Sequence, residues 1–167
     1  YYHACCGGHT AHAGSVWGAP KVLPPLWGVR DKFCAQSPLA RWTANFSNIE
    51  IAAALASRGV MGTLRRFEIG RRDMAGWVKT FQVRIGSENL VVKANELRKL
   101  LGNTELRSTR IVRIRKGKKF VEFIGSGSGH GVGLCQWGAR LQAEKGRRYE
   151  TILRHYFPGS TLSVIDE

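Results

Sequence analysis

Apolar and polar residues follow two periods along this chain, and they mark out short elements. Residues 63–70 and 77–85 largely alternate, with Leu64, Phe67 and Ile69 in the first and Val78, Phe81, Val83 and Ile85 in the second. That two-residue period predicts strands with one buried face. Leu90–Val92 predicts a third strand. Ile111–Arg115 and Phe120–Ile124 flank Lys116-Gly117-Lys118, a hairpin signature. Helical signals come between. Ser47-Asn48 followed by Glu50 predicts a capped helix through about Ser57, with Gly59 as its stop. Asn95–Leu101 predicts a short helix closed by Gly102. Leu134, Trp137 and Leu141 fall at helical spacing in a segment ending at Gly146, and Tyr149–Phe157 predicts a last helix stopped by Pro158-Gly159. Tyr1–Cys6 reads as a strand running into Gly7-Gly8, and Leu162–Ile165 as a final strand. Residues 10–45 show no sustained period and are rich in Gly, Pro and Trp. They predict a long ordered loop in which Trp17, Trp27, Phe33 and Trp42 need packing partners. The class is α+β: mainly antiparallel strands, several short helices and that long N-terminal loop.

Composition narrows the picture. The chain has 167 residues, 43% hydrophobic and 23% charged, which suits one globular domain with a core. No apolar run approaches the roughly 20 residues that span a bilayer. The chain opens inside a predicted strand, so the expectation is that its natural start, with any export signal, lies upstream. Lys and Arg number 26 against 12 acids, a formal charge of +14. Basic pairs recur from Arg65-Arg66 to Arg147-Arg148, so the charge is spread along the chain. It favours a polyanionic partner: nucleic acid, anionic lipid or acidic wall polymer.

Two segments carry candidate chemistry. In His3-Ala4-Cys5-Cys6-Gly7-Gly8-His9-Thr10, with His12 beyond, imidazole and thiol are zinc donors, although the spacing matches no finger. The alternative is a buried free thiol beside surface histidines. In Gly129-His130-Gly131-Val132-Gly133-Leu134-Cys135-Gln136-Trp137-Gly138, glycines let a ligand approach the backbone. Cys135 in a first helical turn with His130 before it suggests a thiol nucleophile and its base. The alternatives are an inward-packed small hydrophobe or a metal ligand. Four cysteines (Cys5, Cys6, Cys34 and Cys135) are equally compatible with disulfides and with a metal. No pair of carboxylates presents itself as general acid and base.

These motifs, with Val16-Trp17-Gly18, Cys34-x-x-Ser37-Pro38 and Trp42, resemble the stage II sporulation protein D and amidase-enhancer domain. Leu97-Arg98-x-x-Leu101-Gly102, Leu106-x-Ser108-Thr109 and Ile152-Leu153-x-His155-Tyr156-Phe157-Pro158-Gly159 continue the resemblance in order. It spans nearly all of the chain. The resemblance implies a peptidoglycan lytic transglycosylase that cleaves stem-free glycan strands, exported to the cell envelope and linked to a wall amidase. It implies substrate contacts by Gly129, His130, Gly131 and Gln136. The family's catalytic glutamate sits upstream of the strand that opens this chain. The expectation is therefore one domain over residues 1–167 without the family's N-terminal segment, and the catalytic residue stays unknown. Cys6, Cys34 and Cys135 all fall in the family's motif blocks. This leads to an expected structural zinc held by these three and His3, with His130 as the rival fourth ligand, Cys5 spare, and a disulfide as the rival to the metal. A binding-only amidase enhancer, a basic nucleic-acid module and a cysteine hydrolase are the other readings, and no sequence-specific nucleic acid is expected.

Overall fold

A computed structural model describes residues 1–18 and 21–163. Two antiparallel three-stranded sheets share the main core. One has the order β2 (Trp42–Ser47), β7 (Phe120–Gly125), β6 (Ile111–Lys116), and the other runs β3 (Leu64–Ile69), β4 (Thr80–Ile85), β5 (Glu88–Lys93). A third, two-stranded sheet pairs β1 (Tyr2–His3) in parallel with β8 (Leu134–Cys135). The described residues are thus α+β, as the periodicity predicts.

The alternation in β4 explains its place. Phe81, Val83 and Ile85 are buried while Gln82 and Arg84 face out. Phe81 meets Phe67 and Phe123 at ring distances of 5.1 and 6.2 Å, and Phe46 meets Phe123 at 5.7 Å. These tilted and edge-to-face contacts bind the two sheets together. Helix α2 (Asn48–Leu55) starts with a complete capping box. Ser47 Oγ accepts from the Glu50 N–H at 3.1 Å, and Glu50 Oε2 accepts from the Ser47 N–H at 2.6 Å. Ile51 and Leu55 of α2, and Leu97 of α3 (Ala94–Leu101), close that core.

Several expectations need correction. The first strand stops at His3, because its parallel partner has only two residues before helix α4 (Gln136–Ala143) begins. Cys5 instead forms an isolated bridge with Ser128. Leu134 therefore belongs to a strand, not to the following helix. The 10–45 loop contains helix α1 (Ala13–Trp17) and two 3-10 turns, Pro24–Leu26 and Phe33–Gln36, and its end is already β2. Trp42 is buried, but Trp17 and Trp27 are 47% and 57% exposed. The loop is tied down by backbone instead: Thr10 N–H donates to Val29 O at 2.8 Å and Ala11 N–H to Gly131 O at 2.8 Å. Residues 162 and 163 form no strand, and the rest of that predicted strand lies outside the described residues. Helix α5 (Tyr149–Tyr156) matches its prediction.

Candidate functional site

A second core cluster gathers the cysteines beneath α4 and α5. Cys6 follows β1, Cys34 lies in the second 3-10 turn, and Cys135 is the N-cap of α4. With Asp31, these residues place three sulfurs and one carboxylate oxygen within 4.8 Å of one another, all buried. Cys6 Sγ lies 3.4 Å from Cys34 Sγ and donates to Asp31 Oδ2 at 3.3 Å. The four cysteines are free thiols. Three of the four expected ligands meet. His3 lies outside this group and Asp31 takes the fourth place.

Around the cluster, polar hydrogens point at its acceptors. The backbone N–H groups of Cys6 and Gly138 donate to Cys135 Sγ at 3.3 and 3.4 Å. Phe33 N–H donates to Asp31 Oδ1 and the Tyr156 hydroxyl to Asp31 Oδ2, both at 2.8 Å. Behind Tyr156 the relay continues: Gln142 Nε2 donates to the Tyr156 oxygen at 3.2 Å, and Arg147 Nη1 to Gln142 Oε1 at 3.2 Å. Burial first, then the Asp31 charge, pushes the Tyr156 hydroxyl up, so it remains a donor. Hydrogen bonds from Cys135, Cys5 and Cys6 hold the Cys34 thiol far below its ordinary range. Cys135 is pushed up, chiefly by its hydrogen bond to Cys34. Because Cys135 is completely buried among these groups, its surroundings suit a ligand or a packed thiol better than an accessible nucleophile.

The Gly129–Gly133 loop leads into β8. Gly131 packs against Trp77 so closely that a Cβ there would sit 2.3 Å from the indole ring. Trp77 in turn donates Nε1–H to His9 O at 3.1 Å. His130 is half-buried; its Nδ1 accepts from the Val132 N–H at 3.1 Å. The His130 ring is 5.5 Å from that of Trp17, and Trp17 is 4.8 Å from Tyr1. His3 closes this row, 5.8 Å from His130. His3 Nδ1 donates to Val132 O at 3.2 Å, since a carbonyl can only accept, and its buried Nε2 finds no partner among the described residues. Burial lowers the His3 pKa to about 4, so the ring is neutral near pH 7. Trp17 also lines a cleft of about 440 Å³ whose rim carries Lys79, Lys93 and Lys99. Gln136 is exposed and lies apart, beside Tyr1, Tyr2 and Phe157.

The acids are mostly occupied elsewhere. Glu68, Glu122, Glu144 and Glu150 pair with arginines, and Glu50 caps α2. Glu96 is the acid that lines the Trp17 cleft, and it is bound to Arg58 at 3.0 Å. Asp31, Tyr156 and Gly138 are site residues that the periodicity could not reveal. The one local signal is Asp31 standing three residues before Cys34.

Sequence comparisons relate the chain to known proteins. The sequence profile of a family described as "Domain of unknown function (DUF8618)" matches residues 29–133. An uncharacterized protein of Brachyspira hyodysenteriae is 33% identical over 166 residues, covering 99% of this chain and 43% of that protein. Stage II sporulation protein D of Bacillus amyloliquefaciens is 28% identical over 169 residues, covering 99% of this chain and 45% of its own length. The amidase enhancer of Bacillus subtilis is 42% identical over 72 residues, 43% of this chain and 10% of the enhancer. The chain spans less than half the length of each of these relatives. It belongs to the family described as domain of unknown function DUF8618, and it is a homologue of the stage II sporulation protein D and amidase enhancer proteins.

Proposed function

We propose that this chain binds peptidoglycan glycan strands in the cell envelope, as part of a protein of the lytic transglycosylase type. The observation that carries the reading is the row of Tyr1, Trp17 and His130 beside a cleft rimmed by lysines. Exposed aromatic faces stack on sugar rings. The charge of +14 favours an acidic wall polymer over a neutral one. His130 and Gly129 belong to this surface, Gly131 is buried beneath it against Trp77, and Gln136 would touch a strand only where it extends past Tyr1. The names of the relatives support a wall role and a link to an amidase. No acid of this chain is assigned to the cleavage step.

The test is a titration with stem-free glycan strands, followed by tryptophan fluorescence. Saturable binding that drops about three- to tenfold in Trp17→Ala supports the reading, since one lost aromatic contact is worth roughly 0.5–1.5 kcal/mol. A wild-type chain that ignores the strands refutes it.

We also propose a structural zinc at Cys6, Cys34, Cys135 and Asp31. The donor set fits: thiolates and a carboxylate are zinc ligands, and tetrahedral Zn–S bonds of about 2.3 Å place sulfurs about 3.8 Å apart. The observed separations start near this value, with Cys6 and Cys34 at 3.4 Å. The donated hydrogens from Tyr156, Phe33, Cys6 and Gly138 would offset the ligands' negative charge. Such an ion would tie three distant segments together. Elemental analysis decides it: about one zinc per chain, lost in Cys34→Ala, is expected, and metal-free protein from a zinc-supplemented culture would end the idea.

A further inference from the structure

We infer that a second cleft, lined by Arg41, Arg72 and Arg110, binds an oxyanion carried by a wall polymer. It measures about 760 Å³, within the range of ligand sites, and lies between the Gly7-Gly8 turn, the start of β6 and the joined ends of β2 and β7. The inference goes beyond the glycan reading in naming a separate site and a charged group, and it rests on that reading for the polymer.

Three observations carry it. First, the Arg72 and Arg110 guanidiniums are positioned but not neutralised, and exposed Arg41 stands at the same cleft. Arg72 Nη1 donates to Gly76 O at 2.8 Å and Ile111 O at 2.6 Å, and its Nη2 to Val112 O at 3.3 Å. Arg110 donates from Nε to Gly7 O at 3.1 Å and from Nη1 to Ala75 O. Carbonyls fix a guanidinium in space while leaving its charge intact. Second, the ion pairs among the described residues engage Arg58, Arg66, Arg115, Arg140 and Arg148, and none of the three cleft arginines. Among the described residues no acid lines the cleft. Arg72 is instead disfavoured by its burial and by neighbouring Arg110, a repulsion that an anion between them would relieve. Third, Trp42 lines the same cleft, and its buried Nε1–H has no acceptor. A buried donor without a partner is uncommon, and this one belongs to a residue of the cleft wall. Gly125 makes room for the indole itself in the cleft wall, since a Cβ there would lie 2.1 Å from the Trp42 ring.

Planar guanidiniums recognise carboxylates and phosphates alike. In a cell wall the oxyanion comes either from the sugar carboxylates of stem-free glycan or from a phosphodiester polymer. The experiment separates the two. The intact chain is titrated at low salt, by fluorescence, with three probes of matched length: stem-free glycan strands, poly(glycerol phosphate), and a neutral chitin oligosaccharide. Arg41→Gln and Arg72→Gln are compared with wild type. Arg41 is the cleaner position, because Arg72 also holds β6, and circular dichroism checks the fold of both. One anionic polymer is expected to bind about tenfold tighter than chitin. Each variant should cut that preference about three- to tenfold while chitin affinity stays level. The polymer that carries the preference identifies the oxyanion. If both anionic polymers bind no better than chitin, or keep their preference in both variants, the inference is overturned while the glycan reading survives. If poly(glycerol phosphate) alone binds, through Arg41 and Arg72, the oxyanion site holds and the glycan reading falls. If no probe binds, both fall.

Discussion

Gly138→Ala should destabilise the protein although alanine is the better helix former. A Cβ at position 138 would lie 2.1 Å from the Tyr156 hydroxyl oxygen and 2.3 Å from Asp31 Oδ2. Neither neighbour can yield cheaply. Tyr156 is a rigid, buried ring, and Asp31 is pinned by the Phe33 N–H and by the Tyr156 hydroxyl itself. Relief requires moving the start of α4 by about 1 Å or breaking the Tyr156–Asp31 hydrogen bond. Overpacking costs about 1–3 kcal/mol, and a buried charge-assisted hydrogen bond about 1.5–3 kcal/mol. Against this stands a propensity gain of at most about 1 kcal/mol. The net is a loss of up to about 3 kcal/mol, which for a chain of this size lowers Tm by up to roughly 6–12 °C. Thermal unfolding followed by circular dichroism measures it. Gly146→Ala is the control: nothing lies within 4 Å of its Cβ, and only the positive φ of 77° resists, for about 1–2 kcal/mol. A Gly138→Ala protein as stable as wild type, or more so, would show that the Asp31–Tyr156 contact is not close-packed and would sink the reasoning.

Phe123 touches Phe46, Phe67 and Phe81, so Phe123→Ala should cost about 3–5 kcal/mol in urea unfolding, and a loss below about 1 kcal/mol would mean the two sheets do not share one core. His3 should make stability pH-dependent. Its folded pKa of about 4 lies below the ordinary 6.5, so the unfolded chain binds the extra proton, and stability present above pH 6.5 is lost as pH falls toward 4, by on the order of 3 kcal/mol at most. His3→Gln should flatten that segment of the stability profile, and an unchanged slope would locate the titration elsewhere. A strong chelator should lower Tm by several degrees if the cysteine cluster holds zinc, with recovery on adding zinc back, and an identical melt with and without chelator counts against the metal. The isolated chain should release no anhydromuramyl product from stem-free strands, and turnover detected by mass spectrometry would mean that one of its own carboxylates is the acid.

Local chemistry made much of this protein legible in one dimension. The Ser47–Glu50 capping box, the alternation of Phe81, Val83 and Ile85, and the Lys116-Gly117-Lys118 turn depend on neighbours within a few residues, and the structure holds them where the periodicity put them. The thiol cluster was half legible. Cys6, Cys34 and Cys135 stood out by type, but Asp31 did not, because an aspartate in a polar loop looks the same in sequence whether it faces water or a buried sulfur. Only the packing of Tyr156 and Gly138 over it turned that acid inward. The aromatic residues of the long loop divided for the same reason. Trp42 is buried because β2 pairs it with Gly125 on β7, which leaves room for the indole, whereas Trp17 sits on a five-residue helix against the rings of Tyr1 and His130 and remains half open. Pairing partners more than 80 residues away decide such placements. A chain's own periodicity reports which face of an element is apolar, and tertiary contact alone reports what that face meets.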